Sequence, residues 1–126
     1  MMIGLQSNRG MTVTLPEQGC LLRIFIGESN RHGGRPLHEW LVLCAKEQHL
    51  AGATVVRGIM GFGKTSRIHT SKIMRLSTDL PIVVEIVDTE EKVEAFLRDV
   101  GDIITDGLAT IENVRVRFYR GRETED

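Results

Sequence analysis

Eight consecutive residues of the chain match a phosphate-binding motif letter by letter. The segment from Gly58 to Thr65, GIMGFGKT, has the pattern G-x-x-x-x-G-K-[ST], in which backbone amides surround phosphate oxygens and the lysine contacts the β- and γ-phosphates. A hydrolase of this type places the motif after the first strand of a parallel sheet and opens a helix with it. Here the motif follows the second expected strand, and residues 66–72 have poor helical amphipathicity. Anion binding without hydrolysis is therefore favoured; a small P-loop-like nucleotide hydrolase that uses Gly58–Thr65 is the alternative.

A cluster of basic residues follows the glycines. Gly61 and Gly63 allow backbone N–H groups to approach an anion closely. Five basic or titratable side chains then precede the first acidic residue, Asp79; they are Lys64, Arg67, His69, Lys72 and Arg75. An anionic ligand or an acidic partner explains this local charge, and a solvated loop is the competing interpretation.

Composition excludes several classes of function. The 126 residues contain 16 basic and 17 acidic side chains and only 5% aromatic residues, which predicts no nucleic-acid partner. No apolar run approaches the roughly 20 residues of a membrane span, so we expect no membrane insertion. Cys20 and Cys44 form no CxxC motif and are expected to be reduced structural thiols, which favours a cytoplasmic location.

The candidate catalytic and metal-binding side chains form no recognisable set. No Ser/His/Asp arrangement for nucleophilic catalysis stands out, so no catalytic residue is predicted. Of the histidines, only His38 and His49 share an expected helix, and three helical turns between them are too many for one metal ion. No metal site is therefore predicted. Glu28, after the first expected strand, is either a ligand group or a loop carboxylate.

The hydrophobic pattern predicts six regular elements. Strands are expected from Cys20 to Gly27, Ala53 to Met60, Leu80 to Asp88 and Val114 to Tyr119, and helices from Pro36 to Leu50 and from an Asp88-x-x-Glu91 capping box to Ile104. The order βαββαβ predicts an α+β, ferredoxin-like fold, in which two helices cover one face of a four-stranded antiparallel sheet. We expect a flexible arm over residues 1–19, one domain over residues 20–120 with a long loop at 61–79, and a charged tail at 121–126.

The face of the sheet opposite the helices has a mixed composition. Alternation assigns it these residues: Leu21, Arg23, Phe25, Val55, Arg57, Ile59, Val83, Glu85, Val87, Arg115, Arg117 and Tyr119. Broad apolar surface usually marks an interface, and charges within it suggest ion pairs that fix the register between subunits. A solvated half-polar face is the alternative.

Several segments closely resemble one protein family. They are LRIFIGE, GRPLHEWLVLCAKEQHLAGATVVRGIMGFG, DLPIVVEIVD and EEKVEAFLRDV. Together they resemble the PII-like family catalogued as domain of unknown function 190, which is related to PII nitrogen-regulatory signalling proteins. The resemblance extends from about Leu21 to Phe118 and is most specific at Ala51–Gly63 and Leu80–Asp88.

This resemblance implies a ferredoxin-like homotrimer that signals without catalysis. In PII proteins a long T-loop leaves the sheet after a GFG-like segment, here Gly61-Phe62-Gly63, and the loop docks on a membrane transporter or an enzyme. Adenine nucleotides bind in clefts between the subunits. The implied effector is ADP, ATP or AMP. From the residues themselves we expect Gly61, Phe62, Gly63 and Lys64 to bind this anion, with Arg115 or Arg117 of another subunit closing the cleft. Arg67, His69, Lys72 and Arg75 then belong to the docking loop.

The chain also departs from the PII pattern at two places. The phosphate-holding B-loop of PII proteins has a TGxxGDG-type spacing, and residues 105–110, TDGLAT, lack it. The expected docking loop contains no tyrosine for covalent modification, because the only tyrosine of the chain is Tyr119.

Overall fold

The computed structural model describes residues 15–64, the backbone of residues 69–70, and residues 79–122. In chain order the elements are β1 Gln18–Gly27, β2 Arg31–His32, β3 Arg35–Pro36, α1 Leu37–Glu47, β4 Ala53–Arg57, β5 Met60–Gly61, β6 His69–Thr70, β7 Pro81–Asp88, α2 Glu90–Val100 and β8 Leu108–Arg115. A short 3-10 turn at Gly101–Ile103 follows α2.

The main sheet has the strand order β4–β7–β1–β8, and each neighbouring pair is antiparallel. This is the ferredoxin-like arrangement, so the predicted fold class is confirmed. Both central strands alternate as expected: Leu22, Ile24 and Ile26 of β1 and Ile82, Val84 and Ile86 of β7 are buried beneath the helices. The helices contribute Leu37, Leu41 and Ala45 from α1 and Val93, Phe96 and Val100 from α2. These spacings give each helix one apolar face.

The last strand differs from its prediction. It was expected at Val114–Tyr119, but β8 ends at Arg115, which pairs with Gln18 at the start of β1. Because β1 provides no further paired residue, the chain leaves the sheet there. The residues of β8 are mostly exposed, so this edge strand lacks the apolar alternation that makes a buried strand recognisable.

The second strand faces the other way from its prediction. Thr54 pairs with Glu85 and Val56 with Val83, so Thr54 and Val56 lie on the face without helices. Val55 and Arg57 instead share the helix-covered side with their partners Val84 and Ile82. A shift of one residue exchanges the two faces of a strand. Strand β4 has only five residues, of which four are exposed, so its apolar pattern does not show which of its faces lies toward the helices.

Residues near the chain ends pack further than expected. Strand β1 begins at Gln18, and Leu15 is buried. The last residues of the predicted flexible arm over residues 1–19 are therefore part of the packed fold. Of the predicted tail, residues 121–122 are described. Most of the expected loop at 61–79 lies outside the described residues, although β5 and β6 pair as a two-stranded ribbon at its base.

Gly107 allows a tight approach between β8 and the end of β1. A Cβ atom at this position would lie 2.7 Å from the backbone oxygen of Phe25. We expect Gly107→Ala to lower the free energy of unfolding by at least about 1 kcal/mol, because the backbone must move to relieve the overlap. Gly101→Ala is the control, since nothing lies within 4 Å of its Cβ position and its backbone is helical. Urea denaturation that finds the two variants equally stable would contradict this account.

Candidate functional site

The sheet presents one face that carries no helices, here called the open face. By register it consists of Leu21, Arg23 and Phe25 of β1, Val83, Glu85 and Val87 of β7, Thr54 and Val56 of β4, and Leu108, Thr110, Glu112 and Val114 of β8. Its central positions are only half-buried. The predicted mixture of large apolar and charged groups is therefore present, but not all of its predicted members are. Besides Arg57, Arg115 is on the helix-covered side by register, because it pairs with Gln18, which alternates with Leu22 and Ile24. Arg117 and Tyr119 lie beyond the end of β8.

The open face carries a charged triad across three strands. Arg23 Nε donates to Glu85 Oε2 at 2.9 Å, and its Nη1 donates to Glu112 Oε1 at 2.5 Å. The triad has two carboxylates for one guanidinium and so a net charge of −1. The sequence indicated Arg23 and Glu85, but it missed Glu112, which was not assigned to a strand. Only the pairing of β8 with β1 brings Glu112 beside Arg23.

At one end of the sheet, residues 58–64, here called the glycine segment, pack on Pro81. The Gly58 N–H donates to the Pro81 carbonyl at 2.7 Å. Cβ atoms at Gly58 and Gly61 would lie 2.7 and 3.2 Å from the Pro81 ring, so close packing accounts for both glycines. Gly63, in contrast, has open space around it, and Phe62 and Lys64 are exposed. Residues 61–64 thus present backbone, the aromatic ring of Phe62 and one cation to the solvent.

Two carboxylates lie beside this segment. Glu28 pairs with Arg57 at 2.7 Å, and Asp79 accepts the Ser29 N–H at 2.8 Å. Glu28 is thus occupied by a cation, which supports its interpretation as a loop carboxylate.

The opposite end of the sheet holds a cleft on the open face. After β8 the chain continues through Val116 to Tyr119 and crosses the end of the sheet. The Val116 N–H donates to Glu17 O and the Tyr119 hydroxyl donates to Ala51 O, each at 2.6 Å. The segment borders a cleft of about 650 Å³ whose walls include Leu21, Glu85, Val87, Arg115, Arg117 and Tyr119. The exposed Arg117 together with the apolar walls suits an anion with an apolar portion.

One chain does not bring the two halves of the predicted site together. The glycine segment contacts Pro81 at one end of β7, whereas Arg115 and Arg117 lie near its other end, where Asp88 pairs with Cys20. Pro81 and Asp88 are the first and last residues of the eight-residue strand β7. At about 3.3 Å per residue the two ends are about 23 Å apart. A ligand that contacts both halves must therefore lie between two copies.

The glycine motif lacks the surroundings of a P-loop. It follows β4, an antiparallel edge strand, and the backbone returns as β6 at residues 69–70. A P-loop hydrolase also needs an acidic residue near the motif to hold magnesium. Asp88, the acid that ends β7, is fully buried and lies at the end of that strand far from the motif. Its oxygens accept the N–H groups of Ala51 and Thr89 at 2.8 and 2.7 Å.

The predicted docking residues fall largely outside the description. Arg67, Lys72 and Arg75 lie outside the described residues, and of His69 only the backbone is described. Within the described ranges there is no group of three or more His, Cys, Asp or Glu side chains placed to hold a metal ion. Nor is any described helix long and apolar enough to cross a membrane.

Both cysteines have raised pKa values. Burial is the main cause at Cys20, where Glu90 and Glu94 add to it, and burial together with Glu47 raises the pKa of Cys44. The thiolate is the reactive form of cysteine, so neither thiol is activated for nucleophilic chemistry.

A family model matches residues 19–116 of the chain, and this family is domain of unknown function 190, described as "Uncharacterized ACR". Among the relatives, a UPF0166 protein of Aquifex aeolicus is 46% identical over 98 residues, which cover 78% of this chain and 92% of that protein. A UPF0166 protein of Methanocaldococcus jannaschii is 31% identical over 106 residues, covering 83% of this chain and 95% of that protein.

Solved structures share the fold at low sequence identity. CPII of Thiomonas intermedia, a nitrogen regulatory PII-like protein solved with ADP, AMP and bicarbonate, aligns with a TM-score of 0.61 at 17% identity over 79% of this chain and 88% of CPII. A PII-like protein of Thermus thermophilus aligns with a TM-score of 0.55 at 23% identity over 79% of this chain and 89% of that one. These likenesses show that the fold is PII-like.

Proposed function

The chain belongs to the family of domain of unknown function 190, and from this membership we propose that it is a regulatory homotrimer that binds an adenine nucleotide between its subunits. A protein partner, a membrane transporter or an enzyme, then recognises the segment at 61–79. The protein acts in the cytoplasm by binding this partner and catalyses no reaction.

The open face is the proposed trimer interface. An apolar surface surrounds the charged triad; it is formed by Leu21, Phe25, Val83 and Val87. Exposed apolar surface of this kind commonly marks an interface. The excess carboxylate of the triad favours a cation from a neighbouring copy. Burial of the triad between subunits would fix their register, since mispaired charges are costly there.

The cleft is the observation that carries the ligand proposal. It lies on the open face, so assembly through that face places it beside a neighbouring subunit, and its walls combine the exposed Arg117 with apolar side chains. Residues 61–64 of the neighbour supply amide donors and the ammonium group of Lys64. The ADP and AMP bound by CPII, which has the same fold, support an adenine nucleotide as the anion.

Calorimetric titration and thermal unfolding with ADP, ATP, AMP and bicarbonate test the proposed ligand. A ligand that binds only the folded state stabilises it by about 2.7 kcal/mol at 100 times its Kd, so we expect an adenine nucleotide to raise the Tm by several degrees. Absence of both a heat and a Tm shift with every nucleotide would refute nucleotide binding.

Arg117→Ala should reduce this Tm shift, because a guanidinium of the cleft no longer contacts phosphate. The matched control is Arg98→Ala, which removes the same charge from the exposed last turn of α2. If both variants keep the full shift, the cleft is not the nucleotide site.

A further inference from the structure

Tyr119 anchors the segment that carries Arg117. Its hydroxyl group donates to the Ala51 carbonyl at 2.6 Å, across the end of the sheet from β8. Burial, together with the charge of Asp88, raises the pKa of Tyr119 above its usual value. The hydroxyl therefore stays protonated, and able to donate, well above neutral pH.

The acceptor of this hydrogen bond is itself held in place. The Ala51 N–H donates to Asp88 Oδ2 at 2.8 Å, and the other oxygen of Asp88 accepts the Thr89 N–H at 2.7 Å. Lys92 lies 3.9 Å from the same carboxylate, which is fully buried. The Ala51 peptide is thus fixed to the end of β7 and the start of α2, so Tyr119 is joined to the rigid part of the fold.

Arg117 lies between two such attachments. Beyond Arg115 the ladder with β1 has ended, and in the described part of this segment the bonds to the rest of the fold are the Val116 N–H to Glu17 O and the Tyr119 hydroxyl to Ala51 O. Arg120 only covers the ring of the exposed Phe118, at 4.3 Å. Loss of the Tyr119 bond would leave Arg117 attached on one side only.

We propose that Tyr119 is a positioning residue that holds Arg117 at the wall of the cleft in the orientation used for the phosphate of the ligand. This role rests on the proposed function. A segment that is ordered before binding loses less entropy when the ligand arrives, so the tyrosine contributes to affinity without contacting the nucleotide.

A double-mutant cycle on ADP affinity tests this role. We expect Tyr119→Phe, which removes only the hydroxyl, to weaken ADP binding about fivefold, the scale of one ordinary hydrogen bond. Arg120→Lys is the control in the same segment and should bind like the unaltered protein. In the Arg117→Ala background, Tyr119→Phe should cause no further loss, because the group that it positions is gone. An equal fivefold loss in both backgrounds would overturn the proposal, as would unchanged affinity in the single variant.

Limited trypsin digestion tests the anchor without a ligand. Cleavage after Arg117 requires the segment to open, so Tyr119→Phe should accelerate that cut about fivefold, while Arg120→Lys leaves the rate unchanged. Equal rates in Tyr119→Phe and the unaltered protein would overturn the anchor itself. If the unaltered protein binds no adenine nucleotide, the proposed function and the positioning role both fail, and a faster cut would then leave only a structural attachment.

Discussion

Glu85→Lys should convert the proposed trimer into monomers. Arg23 and Glu85 lie directly opposite each other on β1 and β7, joined by a 2.9 Å hydrogen bond. The substitution places two cations side by side in the middle of the open face. In an assembled interface an uncompensated buried charge costs about 3–5 kcal/mol, and a trimer contains three copies of this position. Light scattering at micromolar concentration should therefore find the unaltered protein as a trimer and the variant as a monomer.

The fold of the separated subunit should survive this change, because exposed ion pairs contribute at most about 1 kcal/mol. Circular dichroism checks that point. The matched control is Glu39→Lys, which makes the same change of charge in the exposed pair of Glu39 with Arg35 on α1 and should leave the trimer intact. A monomeric unaltered protein, or a trimeric Glu85→Lys variant, would refute the open face as the interface.

Lys64→Ala should weaken nucleotide binding by about 1.5–3 kcal/mol, the usual range for a hydrogen bond to a charged group. This is a loss of roughly 10- to 150-fold in Kd. Lys64 is exposed beside Gly63, around which the structure leaves open space, so its ammonium group is available to an anion. Calorimetric titration with ADP measures the loss. Lys46→Ala is the control, since Lys46 is an exposed lysine in the last turn of α1.

The same variant separates binding from hydrolysis. We expect no steady phosphate release from ATP with either protein, since both oxygens of Asp88 already accept N–H groups, those of Ala51 and Thr89, at the far end of β7. Magnesium-dependent phosphate release that Lys64→Ala abolishes would instead favour the hydrolase that uses Gly58–Thr65. Unchanged ADP affinity in Lys64→Ala would remove the glycine segment from the site.

Nucleotide binding should depend on trimer assembly, because one chain does not bring the two halves of the proposed site together. In one chain the glycine segment and the cleft lie at opposite ends of β7, about 23 Å apart. A monomeric variant such as Glu85→Lys should therefore lose nucleotide affinity, although it keeps residues 61–64 and 115–119 and replaces an acidic group of the cleft wall by a cation. Assembly and binding can be measured separately on that variant.

The sequence by itself determined the order of elements and the buried faces of the central strands. In β1 and β7 every second residue is buried, and in the helices the apolar residues recur every three or four positions. Such patterns are local: each follows from one face of one element lying against the core. For the same reason the sequence predicted the βαββαβ order, and with it the fold class, without knowledge of any contact between elements.

Only the tertiary structure decided the edge strands and the partners of the polar side chains. The end of β8 at Arg115 depends on where β1 begins, and the faces of β4 depend on its register with β7. The cap of α2 is Thr89 rather than Asp88, because Asp88 accepts the N–H of Ala51, which is distant in sequence. These features, like the triad and the Tyr119 anchor, depend on pairing between distant segments, and a local pattern of apolar residues carries no information about that pairing.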